Sequence, residues 1–330
     1  MQQTGFKTKL TNIAKVAGGT FTAFMNDKGL KLSASLSYYT VFSLGPLLLL
    51  LISLVSIFFG KDAVQGKLFS DINGLIGSNA ALQVQDMIKN IELSGKSTLS
   101  LVIAVVTLIV GATSVFGEIQ DSINMIWKVK AKPKRGWVKL LKDRLLSSSL
   151  IISIGFLLVV SLVVNGFILA LSAYFTRLFP GMALILVNLL NMALSFLFTT
   201  ILFGIIFKVL PDVKIGWKDV RAGAFFTALL FLIGRFLIGF YIETTATGSA
   251  FGAAGSVIVI LVWVYYTAAI LYMGAEFTQT YAEFKGSRIR PADYAVHVEQ
   301  TETLSDVPVL PPQHDFDGEG KTGTGKSDNT

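Results

Sequence analysis

A run of ~20 residues without a charge, from Val257 to Ala275, decides what this chain can fold into, because a helix of that length crosses the ~30 Å hydrocarbon core of a bilayer. Small residues lead into it: Gly248, Gly252 and Ser256 recur at every fourth position, with Gly255 beside them. On a helix these make a smooth stripe that lets a neighbour approach to backbone contact, which is how helices pair in lipid. Trp263, Tyr265, Tyr266 and Tyr272 add aromatic bulk, and the run closes on Gly274-Ala275-Glu276. A carboxylate there is costly in hydrocarbon, so Glu276 is expected to face protein, water or headgroups. The segment is either a packing helix that ends a bundle or a wall of a substrate path.

Similar stretches precede it. Spans are expected at about 35–59, 98–118, 146–175, 182–207, 222–242 and 256–281. Charged residues make up only 15% of the chain and hydrophobic ones 52%, whereas a soluble domain carries about 25% charged residues. The expected fold class is therefore all-α: a polytopic membrane protein, a six-helix transmembrane bundle with short amphipathic helices. Three regions follow: an N-terminal amphipathic segment (1–34), the transmembrane domain (35–284) and a tail (285–330). In the first, Leu10, Ile13, Ala14, Ala17, Phe21 and Phe24 recur at helical spacing, which suits a helix lying on the membrane surface, with Gly18-Gly19 as its weak point. From Pro291 the tail holds eight acids against two lysines and is expected to be disordered.

Polar residues inside the spans are the candidate path. Ser37 and Thr40 share a face of the first span ahead of Pro46, which interrupts the helical ladder; hydroxyls at such places either bind solute or bond back to their own helix. Asn165 in the third span and Asn188 and Asn191 in the fourth need partners, so they face each other or a wet cavity. Gly223, Thr227, Gly234 and Tyr241 form the close-packing face of the fifth span, which also carries Arg235 well inside it. Arg235 either snorkels to phosphates or faces a cavity that attracts an anionic head group.

Between Lys128 and Arg144 stand eight cations, Lys130, Lys132, Lys134 and Arg135 among them, flanked by Trp127 and Trp137 as interfacial anchors. This pattern serves as a topology signal and an anionic-lipid contact, and no nucleic-acid partner is expected from it. With six spans, twenty Lys/Arg fall on one side and five on the other, so the positive-inside rule puts both termini in the cytoplasm. The chain has no cysteine, and its histidines, His297 and His314, both lie in the tail. A thiolate or imidazole metal centre, or a Ser–His pair, is thereby excluded from the bundle. No catalytic residue, metal or cofactor is expected, and the implied partners are membrane lipids, anionic ones included.

Four stretches taken together resemble one family: SYYTVFSLGPLL in the first span, VFGEIQDSINMIW after the second, Leu210-Pro211-Asp212-Val213 ahead of Trp217, and FGAAGSVIVILVWVYYTAAILYMGAEF in the sixth. They look like the YihY/BrkB family of bacterial inner-membrane proteins, over roughly residues 10–285, leaving the acidic tail outside. Ser35-Leu36-Ser37 departs from the more alanine-rich run of the family. The resemblance implies a six-helix inner-membrane bundle with a transport role, and brings no settled substrate or catalytic residues. The old ribonuclease BN-like label of the family supplies an alternative, and a scaffold without a substrate is a third. Hydrolysing RNA needs an acid–base pair or a carboxylate–metal cluster, and the carboxylates on the basic side are scattered among cations.

Overall fold

The structure is a computed structural model, and it describes residues 3–43, isolated residues between 65 and 85, and residues 114–132, 183–244 and 255–299. The expected positions Pro46, Asn165, Gly248, Gly252, Lys134, Arg135 and His314, most of the first and second expected spans, the whole of the third, and the tail from 300 lie outside them. So do the side chains of Asn188 and Asn191 and the surroundings of Gly255, although their helices are described.

Helix α1 (Gln3–Asn26) runs without a break through Gly18-Gly19. Its buried face is Val16, Thr20 and Phe24, one residue per turn, packed against the last helix, while Ala14, Ala17 and Phe21 are exposed. The apolar stripe read from the sequence was thus rotated, because Thr20 can enter the interface once its hydroxyl donates to the Val16 carbonyl at 2.8 Å. Asp27 and Lys28 then reverse the chain, Lys28 in the left-handed region at φ 56°. Gly29 starts helix α2 (29–43) where a Cβ would run into the Phe24 ring. The helix of the first span therefore begins several residues before 35.

Helix α3 (114–126) buries Val115, Phe116, Ile119, Ile123 and Ile126 on one face. It ends at Lys128, again left-handed at φ 53°, which redirects the chain into strand β1 (Val129–Ala131). The next three helices are α4 (Ala183–Val209), α5 (Trp217–Thr244) and α6 (Gly255–Phe284). Within them Met192–Val209, Trp217–Tyr241 and Val257–Phe284 are long and apolar enough to cross a membrane. Phe203 meets Phe231 edge to face at 6.1 Å, and Phe231 meets Trp263 at 6.4 Å, so one aromatic chain joins α4, α5 and α6.

The contact between α5 and α6 is built from a repeated pentapeptide. Gly223-Ala-Phe-Phe-Thr227 and Gly274-Ala-Glu-Phe-Thr278 lie antiparallel across it. Each threonine donates its hydroxyl to the carbonyl of the glycine four residues earlier, at 2.7 Å in both helices, and faces the glycine of the other. Phe226 and Phe277 stack beside the crossing with centroids 3.9 Å apart. Bonding back onto its own helix satisfies the hydroxyl, and the missing Cβ lets the backbones close up, which is the packing that lipid favours.

The chain is not helical throughout. Strand β1 pairs antiparallel with β4 (Ala295–His297), and β2 (Val213–Lys214) with β3 (Arg290–Pro291). The stretch just past Pro291, expected to be disordered, is ordered as far as Val298, whose amide donates to the Lys128 carbonyl at 2.8 Å. The loops after α3 and α4 offer unpaired backbone groups, and the exit segment satisfies them. His297, in that stretch, is a strand residue paired opposite Val129.

Candidate functional site

The end of α3 meets both the turn after α4 and the end of α6, and the polar side chains buried there form the candidate site. One half of it is organised by Asp212. This carboxylate is 3% exposed and accepts from three neutral donors: Gln120 Nε2 at 3.2 Å, Asn124 Nδ2 at 2.9 Å and the Tyr294 hydroxyl at 3.0 Å. Its amide donates to Asn124 Oδ1 at 2.8 Å, and its carbonyl accepts from the Ala292 amide at 2.9 Å. Gln120 and Asn124 reach it together because they stand one turn apart on α3. Pro211 leaves α4 by breaking its ladder, which turns Asp212 back towards α3. One residue thus ties three separate segments, and a buried charge is tolerated when hydrogen bonds replace its hydration.

The other half lies along α6. Trp127 does not anchor at an interface: it is buried, and its Nε1 donates to the Ala275 carbonyl at 3.0 Å. The next residue, Glu276, is 1% exposed and is covered by protein rather than by water or headgroups. Its Oε1 meets no donor. The charged groups whose fields reach it are Asp27, Lys128 and Glu283. One turn earlier Tyr272 is fully buried with its hydroxyl unpartnered, on the side where α3 presents Ser122 and Glu118. Two buried polar atoms without partners on adjacent turns of a membrane-length helix are costly, and such costs are retained where a site needs them.

The other expected positions fall elsewhere. The Ser37 hydroxyl donates to the Ala34 carbonyl at 2.9 Å and that of Thr40 to Leu36 at 2.7 Å. Both donors are spent on their own helix, which removes the proton that a solute oxygen would need from them. Arg235 is exposed beside exposed Phe236 and Leu237, while its neighbour Gly234 turns inward against the Tyr266 ring. Lys130 is exposed on β1 and Lys132 just after it, its amide bonded to the Tyr294 carbonyl at 2.7 Å. Gln120, Asn124 and Tyr294 were missed. Gln120 and Asn124 lie in the VFGEIQDSINMIW stretch and Asp212 in the Leu210-Pro211-Asp212-Val213 run, but nothing in either names the other as its partner.

Membrane-length helices that bury polar groups among themselves and close at one end in a hydrogen-bonded cap define an α-helical membrane protein. The sequence comparisons supply the rest. The chain belongs to the family described as "Virulence factor BrkB", whose sequence model matches residues 20–296. It is 30% identical over 264 residues to a UPF0761 membrane protein of Azotobacter vinelandii, covering 78% of this chain and 60% of that one. To one of Alkalilimnicola ehrlichii it is 27% identical over 278 residues, covering 82% and 58% respectively. A third, from Tolumonas auensis, is 25% identical over 279 residues, covering 81% of this chain and 87% of its own. The chain thus spans about three-fifths of the length of the first two relatives. No solved structure matches it.

Proposed function

We propose that this protein is a six-span inner-membrane protein that moves or handles an anionic or amphipathic solute, with both termini in the cytoplasm. Glu276 carries the reading: a carboxylate enclosed by protein near the end of a membrane-length helix, with an oxygen left unpartnered. An ionisable side chain kept inside a membrane bundle marks an ion or solute path more often than a structural need. The twenty-to-five division of Lys/Arg supports the orientation. Exposed Lys130 and Lys132, with Lys134 and Arg135 following in sequence, suit anionic lipid headgroups as partners. On this reading Arg235 snorkels to phosphates rather than lining the path.

The test is reconstitution of the full chain into vesicles containing a fluorescent anionic phospholipid. Protein-containing vesicles should carry the label across the bilayer faster than empty ones, and Glu276→Gln should slow it. Equal rates with and without protein would refute the lipid-handling form and favour a scaffold. We further propose that the protein is not a nuclease. The purified chain should leave single-stranded and transfer RNA intact with Mg²⁺, Mn²⁺ or Zn²⁺ present. Cleavage that co-purifies with it and is lost in Glu118→Ala/Asp121→Ala, which removes two carboxylates three positions apart on α3, would restore the ribonuclease reading.

A further inference from the structure

We propose that residues 290–298 form a releasable strap, which lifts reversibly from β1 and β2 and opens the polar end of the bundle to water at Asp212. Exposure separates cover from content. Tyr294 on the strap is 39% exposed, whereas Asp212, which its hydroxyl reaches, is 3% exposed. Gln120 and Asn124, bonded to the same carboxylate from α3, are buried with it. The strap is thus the outer layer over a buried charge and two amides.

What holds the strap down is mostly polar. The Ala292 amide donates to the Asp212 carbonyl at 2.9 Å and the Val298 amide to the Lys128 carbonyl at 2.8 Å, while the Tyr294 carbonyl accepts from the Lys132 amide at 2.7 Å. Side chains add the Tyr294–Asp212 hydrogen bond and an ion pair between Asp293 and Lys214, both exposed. Within 290–298 only Ala295 is buried. Ile289, just before the strap, packs against the core and marks where the fixed part of the chain ends. Water replaces each lost hydrogen bond at small net cost, and an exposed ion pair contributes little. Segments with few buried apolar contacts are the ones that open locally while the rest stays folded.

The interior favours the same motion. Closed, the Asp212 carboxylate meets neutral donors only, and a buried charge without a counter-charge is the costly case. When Tyr294 leaves, water hydrates that carboxylate and offsets the bond it loses. The helices stay in place meanwhile. Ile119, Ile123 and Ile126 keep α3 in the core, and the reciprocal glycine–threonine contacts hold α5 on α6. Opening therefore occurs at the strap and not between the spans, and Asp212, Gln120 and Asn124 line it. The strap stands whether or not the protein moves a solute.

The chain has no cysteine, so Val129→Cys/His297→Cys staples the strap shut on oxidation. The two residues face each other across β1 and β4. They adjoin the hydrogen-bonded pair Lys128–Val298, which makes them a non-hydrogen-bonded pair, the kind with the closer Cα atoms and within disulfide reach. The full chain in lipid nanodiscs is treated with a carbodiimide and an amine, and coupling at Asp212 is read by mass spectrometry. Asp212 should label several-fold more slowly with the staple oxidised than reduced, while exposed Glu283 labels alike in both. Tyr294→Phe, which keeps the ring and loses the hydroxyl, should label Asp212 several-fold faster than wild type. If the stapled pair does not accumulate in the membrane, Lys214→Cys/Arg290→Cys across β2 and β3 replaces it. Equal labelling of Asp212 in the two redox states, including none in either, overturns the proposal. So does a Tyr294→Phe rate at or below that of wild type.

Discussion

Gly274→Ala is the sharpest probe of how the two best-defined spans are held. The added Cβ would fall inside the Thr227 hydroxyl and 2.9 Å from both the Cβ and the Cγ2 of that residue. Ordinary carbon contacts begin near 3.5 Å. Turning Thr227 about χ1 cannot help, because its Cβ is fixed by the backbone and is itself too close; the helices must part by roughly half an ångström or more. Overpacking of this kind costs about 1–3 kcal/mol. Replacing a helical glycine by alanine returns up to about 1 kcal/mol through backbone entropy, so the expected net loss is about 0–2 kcal/mol. The sign of the coupling is therefore more telling than the single value. Thr227→Ala removes the obstacle, so Gly274→Ala/Thr227→Ala should be more stable than the sum of the two single changes by about 1 kcal/mol or more. Thermal unfolding in detergent, followed by tryptophan fluorescence, measures all four members of the cycle. Additive changes would show that the helices do not cross at these residues. The related pair, Gly223→Ala with Thr278→Ala, should behave alike, since the geometry is reciprocal.

Asp212→Ala leaves the buried Gln120 and Asn124 amides facing a void, at about 1–3 kcal/mol for each buried group left unpaired; faster tryptic cleavage after Arg288 should report the loosened exit segment, and Asp212→Asn, which keeps one acceptor, should fall between. Single cysteines replacing Ser70 or Phe179 should react with an impermeant maleimide from outside intact cells, and ones replacing Lys132 or Gly216 should not; external labelling of Lys132→Cys would overturn the orientation. Arg235→Ala should change thermal stability by no more than about 0.5 kcal/mol, as for other exposed positions, and leave lipid movement in vesicles near wild type; abolished movement at normal protein level would reinstate Arg235 as an anion site.

The class of the molecule was legible because bilayer thickness acts on composition, and composition is visible residue by residue. The fourth, fifth and sixth expected spans fall on α4, α5 and α6 for that reason. Their ends were less legible: α5 begins at Trp217, ahead of its apolar run, because a helix continues wherever its amides find partners, as those of Asp219 and Val220 do in the Gly216 carbonyl. Side-chain partnerships were hidden for a different reason. Asp212 lies 88 positions from Asn124 and 82 from Tyr294 in the sequence, and nothing local to any of them announces the others. The hydroxyls of Ser37 and Thr40 looked the same in either role until their bonding partners were known. The repeated Gly-Ala-x-Phe-Thr pentapeptide was readable and passed unseen, since its meaning depends on two antiparallel helices crossing at it.

The two small strand pairings govern the order in which the molecule can be completed. β3 and β4 follow every membrane-length helix described here, yet they supply the partners that β1 and β2 lack. While the helices are being threaded into the bilayer, the loops after α3 and α4 must wait open, their backbone edges and the Asp212 carboxylate hydrated. Only when residues 290–298 emerge can that end be sealed. Closure of the cap is thus a late event, and a chain interrupted before Arg290 would sit in the membrane with its helices inserted and its end unsealed.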